Sequence, residues 1–215
     1  MALSDKRILE QMEAGNIIID PFRPEHLATS SYDVRLGEWH YTENRQSFGV
    51  FNVWSEKTMK KVWGQPRRAG RAEDVLRDSN FKFGDGIEKE DMVILIAPGE
   101  TILAHSEEFI GGRNVITTMM KARSSLGRVF ISVCKCAGWG DVGYINRWTM
   151  EISNSSKHYA IPLRVGMRIA QLVFFETGPI LGGDYARTGK YQQSQNLSTI
   201  KKTWRPEMML PRLHH

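Results

Sequence analysis

In the segment RSSLGR (123–128) two arginines enclose two serines; an aspartate follows in GWGDVGY (Asp141) and a glutamate in RWTMEIS (Glu151). Hydroxyls and backbone amides in a turn match phosphate oxygens, and guanidinium groups beside them add charge-assisted, bidentate hydrogen bonds. RSSLGR is not a Walker loop, because G-x-x-x-x-G-K-[ST] does not occur in the chain. By itself it also reads as a solvated Ser/Arg turn, and Asp141 also suits an Asx-turn. Alternation around Glu151 puts Arg147, Thr149, Glu151 and Ser153 on one strand face and Trp148, Met150 and Ile152 on the other. The polar face meets either water or a cleft; in a cleft, Glu151 is a proton-transfer group.

The CKC triplet raises the question of a metal. Hydrolytic zinc deaminases of nucleobases use an H-x-E segment and a C-x-x-C segment. No C-x-x-C segment occurs here, and the histidines (His26, His40, His105, His158, His214, His215) are scattered, the last two resembling a tag remnant. No zinc site is therefore expected. Cys134 and Cys136 are read as small strand residues at i and i+2, sharing a face and pairing poorly, so no disulfide is expected and a reducing cytoplasm fits.

The chain's net charge of +5 attracts anions without separating nucleotides from nucleic acid. Its basic clusters (Lys60, Lys61, Arg67, Arg68, Arg71; Lys201, Lys202, Arg205) lack a recognisable reading module. They read as a solvated loop face and a basic tail, and nucleic acid is not an expected partner. The longest apolar runs, VILIA (93–97) and LVFF (172–175), are too short to span a bilayer, and no charged-then-apolar leader opens the sequence. No membrane partner or secretion signal is expected.

The positioning elements follow from pattern. SDKRILEQMEAGN (4–16) predicts a short helix with Ser4 as N-cap, an Ile8/Leu9/Met12 stripe and Gly15 at the stop. IIIDPF and SYDVRLG (31–37) predict extended segments, the latter with Asp33 on one face and Tyr32 and Val34 on the other. Charged, turn-rich residues at about 45–90 predict an insertion with one short helix near 71–78. From residue 92 short β-runs recur between turns (MVILIAPGE, TILAHSEEFI, RNVITTMM, RVFISVCKC, INRWTMEIS, YAIPLRV, RIAQLVFFE), which predicts an antiparallel sandwich or barrel-like fold. A polar C-terminal arm from about 182 to 215 either hangs free or closes over a site.

In this order, LSDKRI, SYDVRLG, RSSLGRVF, AGWGDVGY, TMEIS, GMRIAQLVF and TGKYQ resemble the dCTP deaminase branch of the dUTPase-like superfamily, over most of the chain except about 41–90. The resemblance implies a mainly β, single dUTPase-like domain, a distorted antiparallel barrel of jelly-roll type with a short N-terminal helix. It implies that Arg123, Ser124, Ser125 and Arg128 hold the triphosphate, with Arg128 also near the reacting base. It makes Asp141 the partner of the sugar 3′-hydroxyl and Glu151 the catalytic carboxylate. Ala137, Thr149, Gln171, Tyr185, Lys190 and Gln195 become further substrate contacts. Mg²⁺ accompanies the triphosphate, dTTP is a candidate regulator, and the assembly is a homotrimer or hexamer with sites shared between subunits.

Glu151 also separates branches, since plain dUTPases resemble RSSLGR and the aspartate turn but carry an apolar residue at the glutamate's position. Gly138 sides with deaminases that go on to dUMP and pyrophosphate, by leaving room for a water near the α-phosphate. A deaminase that stops at dUTP, a pyrophosphatase acting on dUTP alone, and a nucleotide-binding regulatory protein stay open as alternatives. The chain departs from the family pattern at Cys134, where a histidine is common, and at Gly140, usually Ile. It departs again at Val142, at the INRW stretch, and in the tail, where Gln195 falls one place late. These departures leave a modified cytosine nucleotide open as substrate.

Overall fold

Two-residue alternation becomes strand along most of the second half of the chain. The computed structural model describes residues 1–44, 49–183, 185, 189–192 and 194–213. The start of the expected insertion (45–48), parts of the C-terminal arm (184, 186–188, 193) and the His214–His215 pair lie outside the described residues. The strands are β1 (Ile17–Asp20), β2 (Leu27–Ala28), β3 (Ser31–Thr42), β4 (Arg67–Arg68), β5 (Gly70–Arg71), β6 (Met92–Ile96), β7 (Thr101–Gly112), β8 (Ile116–Ala122), β9 (Ile131–Ser132), β10 (Trp139–Gly140), β11 (Ile145–Asn154), β12 (Ile161–Arg164) and β13 (Arg168–Glu176). The helices are α1 (Asp5–Glu13), α2 (Glu56–Trp63), α3 (Ala72–Val75), α4 (Ser124–Gly127) and α5 (Leu197–Thr203), with a 3₁₀ turn at Pro206–Met209.

Ten strands form one curled sheet along the path β10-β8-β13-β3-β7-β11-β9, with β1 added on β7 and β2 and β4 on β3. A second sheet runs β12-β6-β5. Every strand pairing among the described residues is antiparallel. This is the mainly β fold expected from the sequence. The core collects Ile8, Tyr32, Val34, Leu36, Ile94, Ile96, Ile102, Ile110, Met150, Ile152, Leu172 and Phe174 between the curled faces.

At the N-terminus, the Ser4 side chain accepts from the Arg7 amide at 3.3 Å and Gly15 takes φ +73°, as a capped, glycine-stopped helix requires. The segment 49–91 holds two helices, α2 and the four-residue α3, where one near 71–78 was expected. Its β4 and β5 pair with β3 and β6, so the segment adds short strands to both sheets.

β11 carries the alternation read from RWTMEIS: Arg147, Thr149, Glu151 and Ser153 are partly exposed, whereas Trp148, Met150 and Ile152 are buried. Its register against β7 shifts between Arg147 and Thr149, where Trp148 faces a bulged stretch of β7. Ser106 bridges the gap: its hydroxyl accepts from the Trp148 amide and donates to the Glu108 carbonyl, both at 2.8 Å. The bulge aims Arg147 away from the regular ladder.

The strand expected over RVFISVCKC shrinks to Ile131–Ser132. Phe130, Cys134 and Lys135 take φ of 66°, 64° and 42°, the left-handed region that a strand cannot use. The two thiols therefore do not share a strand face: Cys134 is buried, Cys136 is exposed, and both are free. No helix among the described residues is long and apolar enough to cross a membrane.

Candidate active site

The polar face of β11 opens into a cavity of about 460 Å³. Its floor is Thr149, Glu151 and Arg147 from β11; one rim is the turn Ala137–Asp141 with Tyr144. Trp63 from the end of α2 and Leu103 from β7 form a wall, and Trp204, Met208, Met209 and Pro211 of the C-terminal segment form another. Tyr185 and Tyr191 close the remaining side. A second hollow of about 350 Å³ meets it at Trp139, Asp141 and Tyr185.

Burial among these rings sets the electrostatics. Desolvation pushes the Glu151 carboxyl above its ordinary range, opposed by a hydrogen bond from its own backbone and by the positive field of Lys135. Glu151 has no ion-pair partner among the described residues, so its proton affinity is set by burial and remains adjustable by a ligand. Burial, reinforced by the nearby Glu151 charge, pushes the Cys134 thiol up to about 12, so it stands beside the carboxylate as a neutral group. Burial likewise raises Tyr185, which stays a hydroxyl donor.

The turn that carries Asp141 is fixed by close approach. A Cβ on Gly138 would lie 2.3 Å from the Met120 carbonyl of β8, and the Met120 amide donates to the Gly138 carbonyl at 2.7 Å. A Cβ on Gly140 would lie 2.3 Å from the Thr118 hydroxyl and 2.5 Å from the Trp148 ring, so the position has no room for a side chain. Trp148 is itself held by its indole N–H donating to the Ile110 carbonyl at 2.9 Å. Tyr144 stands edge-on to both Trp148 (5.3 Å) and Tyr185 (5.1 Å), and the Tyr185 amide donates to the Val142 carbonyl at 2.9 Å.

Gln192 anchors the returning tail. Buried to 5% exposure, it accepts from the Ile145 amide at 2.7 Å and donates to the Gly143 and Ser194 carbonyls at 2.9 and 2.8 Å. Beyond it, α5 packs Ile200 against Phe109 and Ile145, and Met209 joins Tyr41 and Leu103. Burying two such side chains stabilises the tail by about 3–6 kcal/mol. Trp204 packs on His105 at 4.7 Å.

The RSSLGR residues lie elsewhere. Arg123 caps α4, whose Ser124 and Ser125 are exposed, as is Arg128. Arg123 reaches Asp33 at 3.0 Å, and Arg168 reaches the same carboxylate at 3.3 Å. Gln171 stands directly beside Asp33 on β3 and Lys121 on β8. Lys190 is exposed and bonds the Arg212 carbonyl at 3.5 Å, and Gln195 is exposed on the tail.

Of the residues singled out from sequence, the cavity gathers Ala137, Asp141, Thr149, Glu151 and Tyr185. Arg123, Ser124, Ser125, Arg128, Gln171, Lys190 and Gln195 do not line it in the same chain. Sequence reasoning missed Asp33 as the carboxylate that holds Arg123, although its place on β3 was read. It also missed Trp63, Gln192 and Trp204, which no local motif marks, and gave Arg147 no role beyond its place on the Glu151 face. Among the described residues, no group of three or more His, Cys, Asp or Glu side chains is placed to hold a metal ion.

A family model described as dCTP deaminase-like matches residues 2–177. The chain is 32% identical to a protein named "dCTP deaminase, dUMP-forming" of Methanobrevibacter smithii, covering 80% of this chain and 78% of that one. It is 34% identical to a protein of that name from Hydrogenobaculum sp., covering 81% of each, and 30% identical to one from Nanoarchaeum equitans, covering 95% and 98%. Among solved structures, the 2′-deoxycytidine 5′-triphosphate deaminase from Agrobacterium tumefaciens superposes with a TM-score of 0.54 at 16% identity. That match covers 80% of this chain and 47% of the solved one, and bears on the fold alone. With the family model spanning most of its length, the chain belongs to the dCTP deaminase-like family.

Proposed function

We propose that this chain is a dCTP deaminase that replaces the 4-amino group of cytosine with oxygen, releases ammonia, and goes on to cleave the triphosphate to dUMP and pyrophosphate. The observation that carries the reading is the Glu151 carboxylate, half-buried on the cavity face of β11 with raised proton affinity and no ion-pair partner among the described residues. As a carboxylate, Glu151 takes a proton from water as the water oxygen bonds to C4, and that proton passes to N3. The hydroxyl's second proton then moves through the same carboxyl to the amino group. The C4–N bond breaks, ammonia leaves, and the C4 carbonyl of the uracil ring remains. A group raised by burial suits both directions of transfer, because it binds the proton more readily between the steps.

Ala137 and Thr149 flank the base in this reading, Asp141 takes the sugar 3′-hydroxyl, and Tyr185 closes over it. Arg123, Ser124, Ser125 and Arg128 hold the triphosphate, with Gln171, Lys190 and Gln195 as outer contacts. Because these groups stand apart from the Glu151 cavity in one chain, the reading places each site between copies of a homotrimer or a pair of trimers. Exposed Val129 and Phe130 beside Arg128 supply apolar surface for such contact. The chain then acts as one dUTPase-like domain with an insertion at about 45–90 and an arm at about 182–215. Mg²⁺ enters on the triphosphate as part of the substrate, and dTTP fits the same apolar walls as a regulator.

Support for dUMP as the product comes from the names of the relatives. Gly138 adds little to that choice, since contact with Met120 already requires a glycine there. The test is chromatography of dCTP, dUTP, dUMP and pyrophosphate after incubation with dCTP and Mg²⁺. The expected result is dUMP and pyrophosphate with no accumulation of dUTP. Accumulating dUTP identifies a deaminase that stops there, and untouched dCTP contradicts the reading.

A further inference from the structure

Arg147 is the one cation among the described residues that line the Glu151 cavity, which also holds the carboxylates of Glu151 and Asp141. Its guanidinium carbon lies 5.0 Å from the centre of the Phe109 ring and 4.7 Å from that of Trp204. Its Nε is fully buried with no hydrogen-bond partner, and no carboxylate among the described residues forms an ion pair with it. The acids whose field reaches it are engaged elsewhere: Glu107 and Glu108 by Arg35 at 2.8 and 2.6 Å, and Glu38 by Arg68 at 3.1 Å. Ring faces stabilise the plane of a guanidinium but cannot satisfy its in-plane N–H donors. A part-buried cation left in this state requires an acceptor from outside the chain.

The position on β11 says what that acceptor is. Arg147 precedes Glu151 by four residues on the same face, a separation of about 13 Å at strand rise. The Asp141 turn leads into β11 at the Arg147 end. With the base at Glu151 and the sugar towards Asp141, the phosphates run on towards Arg147. Two carboxylates in the cavity would repel a triphosphate, and Arg147 offsets them.

We propose that Arg147 is an anion-binding residue of this site, presented by Phe109 and Trp204 to the triphosphate of the nucleotide. The inference rests on the nucleotide reading above and adds to it a phosphate contact on the Glu151 side, supplied by the C-terminal segment through Trp204. That segment lies beyond the matched residues 2–177.

Inorganic tripolyphosphate is the probe. Its binding by calorimetry, and its inhibition of dCTP deamination, are compared in the intact chain, Arg147→Met and Arg147→Lys. Arg147→Met should bind it about 10- to 100-fold more weakly and raise KM for dCTP by a similar factor, with kcat changed less than about threefold. Arg147→Lys, which keeps charge but loses the fork, should fall between, and Trp204→Leu should follow it. Equal tripolyphosphate binding by the intact chain and folded Arg147→Lys and Trp204→Leu overturns the inference, as does a fall in kcat at unchanged KM. Failure of the intact chain to deaminate dCTP would instead count against the proposed function, and the calorimetric arm would still decide whether Arg147 binds phosphate.

Discussion

At the RSSLGR end, one carboxylate, Asp33, receives Arg123 at 3.0 Å and Arg168 at 3.3 Å, and the serines stand in the open. In the cavity, Glu151 and Arg147 sit on one strand face among seven tryptophan and tyrosine side chains, and neither forms an ion pair among the described residues. The first region pairs its arginines with a buried carboxylate, so those charges are already satisfied within the chain. The second keeps its charges unpaired in a poorly solvated place, where each is strong and available. Binding can draw on both kinds of region; proton transfer needs the second, because only burial moves a carboxyl's proton affinity towards the working pH.

The largest effect that would sharpen this contrast is at Glu151. Glu151→Gln keeps the shape and removes the proton acceptor, so ammonia release from dCTP should fall by about 10²- to 10⁴-fold with dCTP binding retained. Cleavage of supplied dUTP should survive in that variant. The intact chain should also lose kcat/KM on the acid side at a pH above the ordinary carboxylate range, since the base form of Glu151 is required. At the other region, Asp33→Asn frees Arg123 and Arg168 from their shared partner. KM for dCTP should rise by about tenfold while kcat stays within a few-fold, because only charge-assisted hydrogen bonds are rearranged.

Two smaller effects concern the frame. Burial lowers the His105 imidazole to about 4, with a hydrogen bond to the Ser106 carbonyl opposing and the Arg147 charge assisting. A histidine depressed in the fold is protonated first in the unfolded chain. Stability should therefore be full above the ordinary value of 6.5 and decline as pH falls from there towards about 4, by up to about 3 kcal/mol. Urea midpoints at pH 7 and pH 5 would read it. Smallest of all, Lys201→Ala removes an exposed pair with Asp20 at 2.6 Å and should cost less than about 1 kcal/mol in the same assay.

The fold was legible where period and punctuation are local. The Ser4 cap, the glycine stop and the face of β11 all follow from neighbours in sequence. CKC was misread because left-handed φ at Phe130, Cys134 and Lys135 falls on residues that do not announce it. Gly140 is required because Thr118 and Trp148 crowd the space beside it, a constraint between positions that only packing brings together. The chemistry of Glu151 could be read from its strand, but its surroundings could not. Trp63 and Trp204 join Arg147 there because α2 and the C-terminal segment fold back over β7 and β11, and nothing in the stretches of the two tryptophans marks a site.

The most direct test of the account is to mix two inactive variants, Glu151→Gln and Arg128→Ala, and assay ammonia release from dCTP after subunits exchange. If each site joins the cavity of one copy to the RSSLGR turn of another, about a quarter of the sites in a random equal mixture recover both parts, and activity should return to that order. Mixed assemblies that form and stay inactive would contradict the account, because the two regions would then have to serve one another within a single chain.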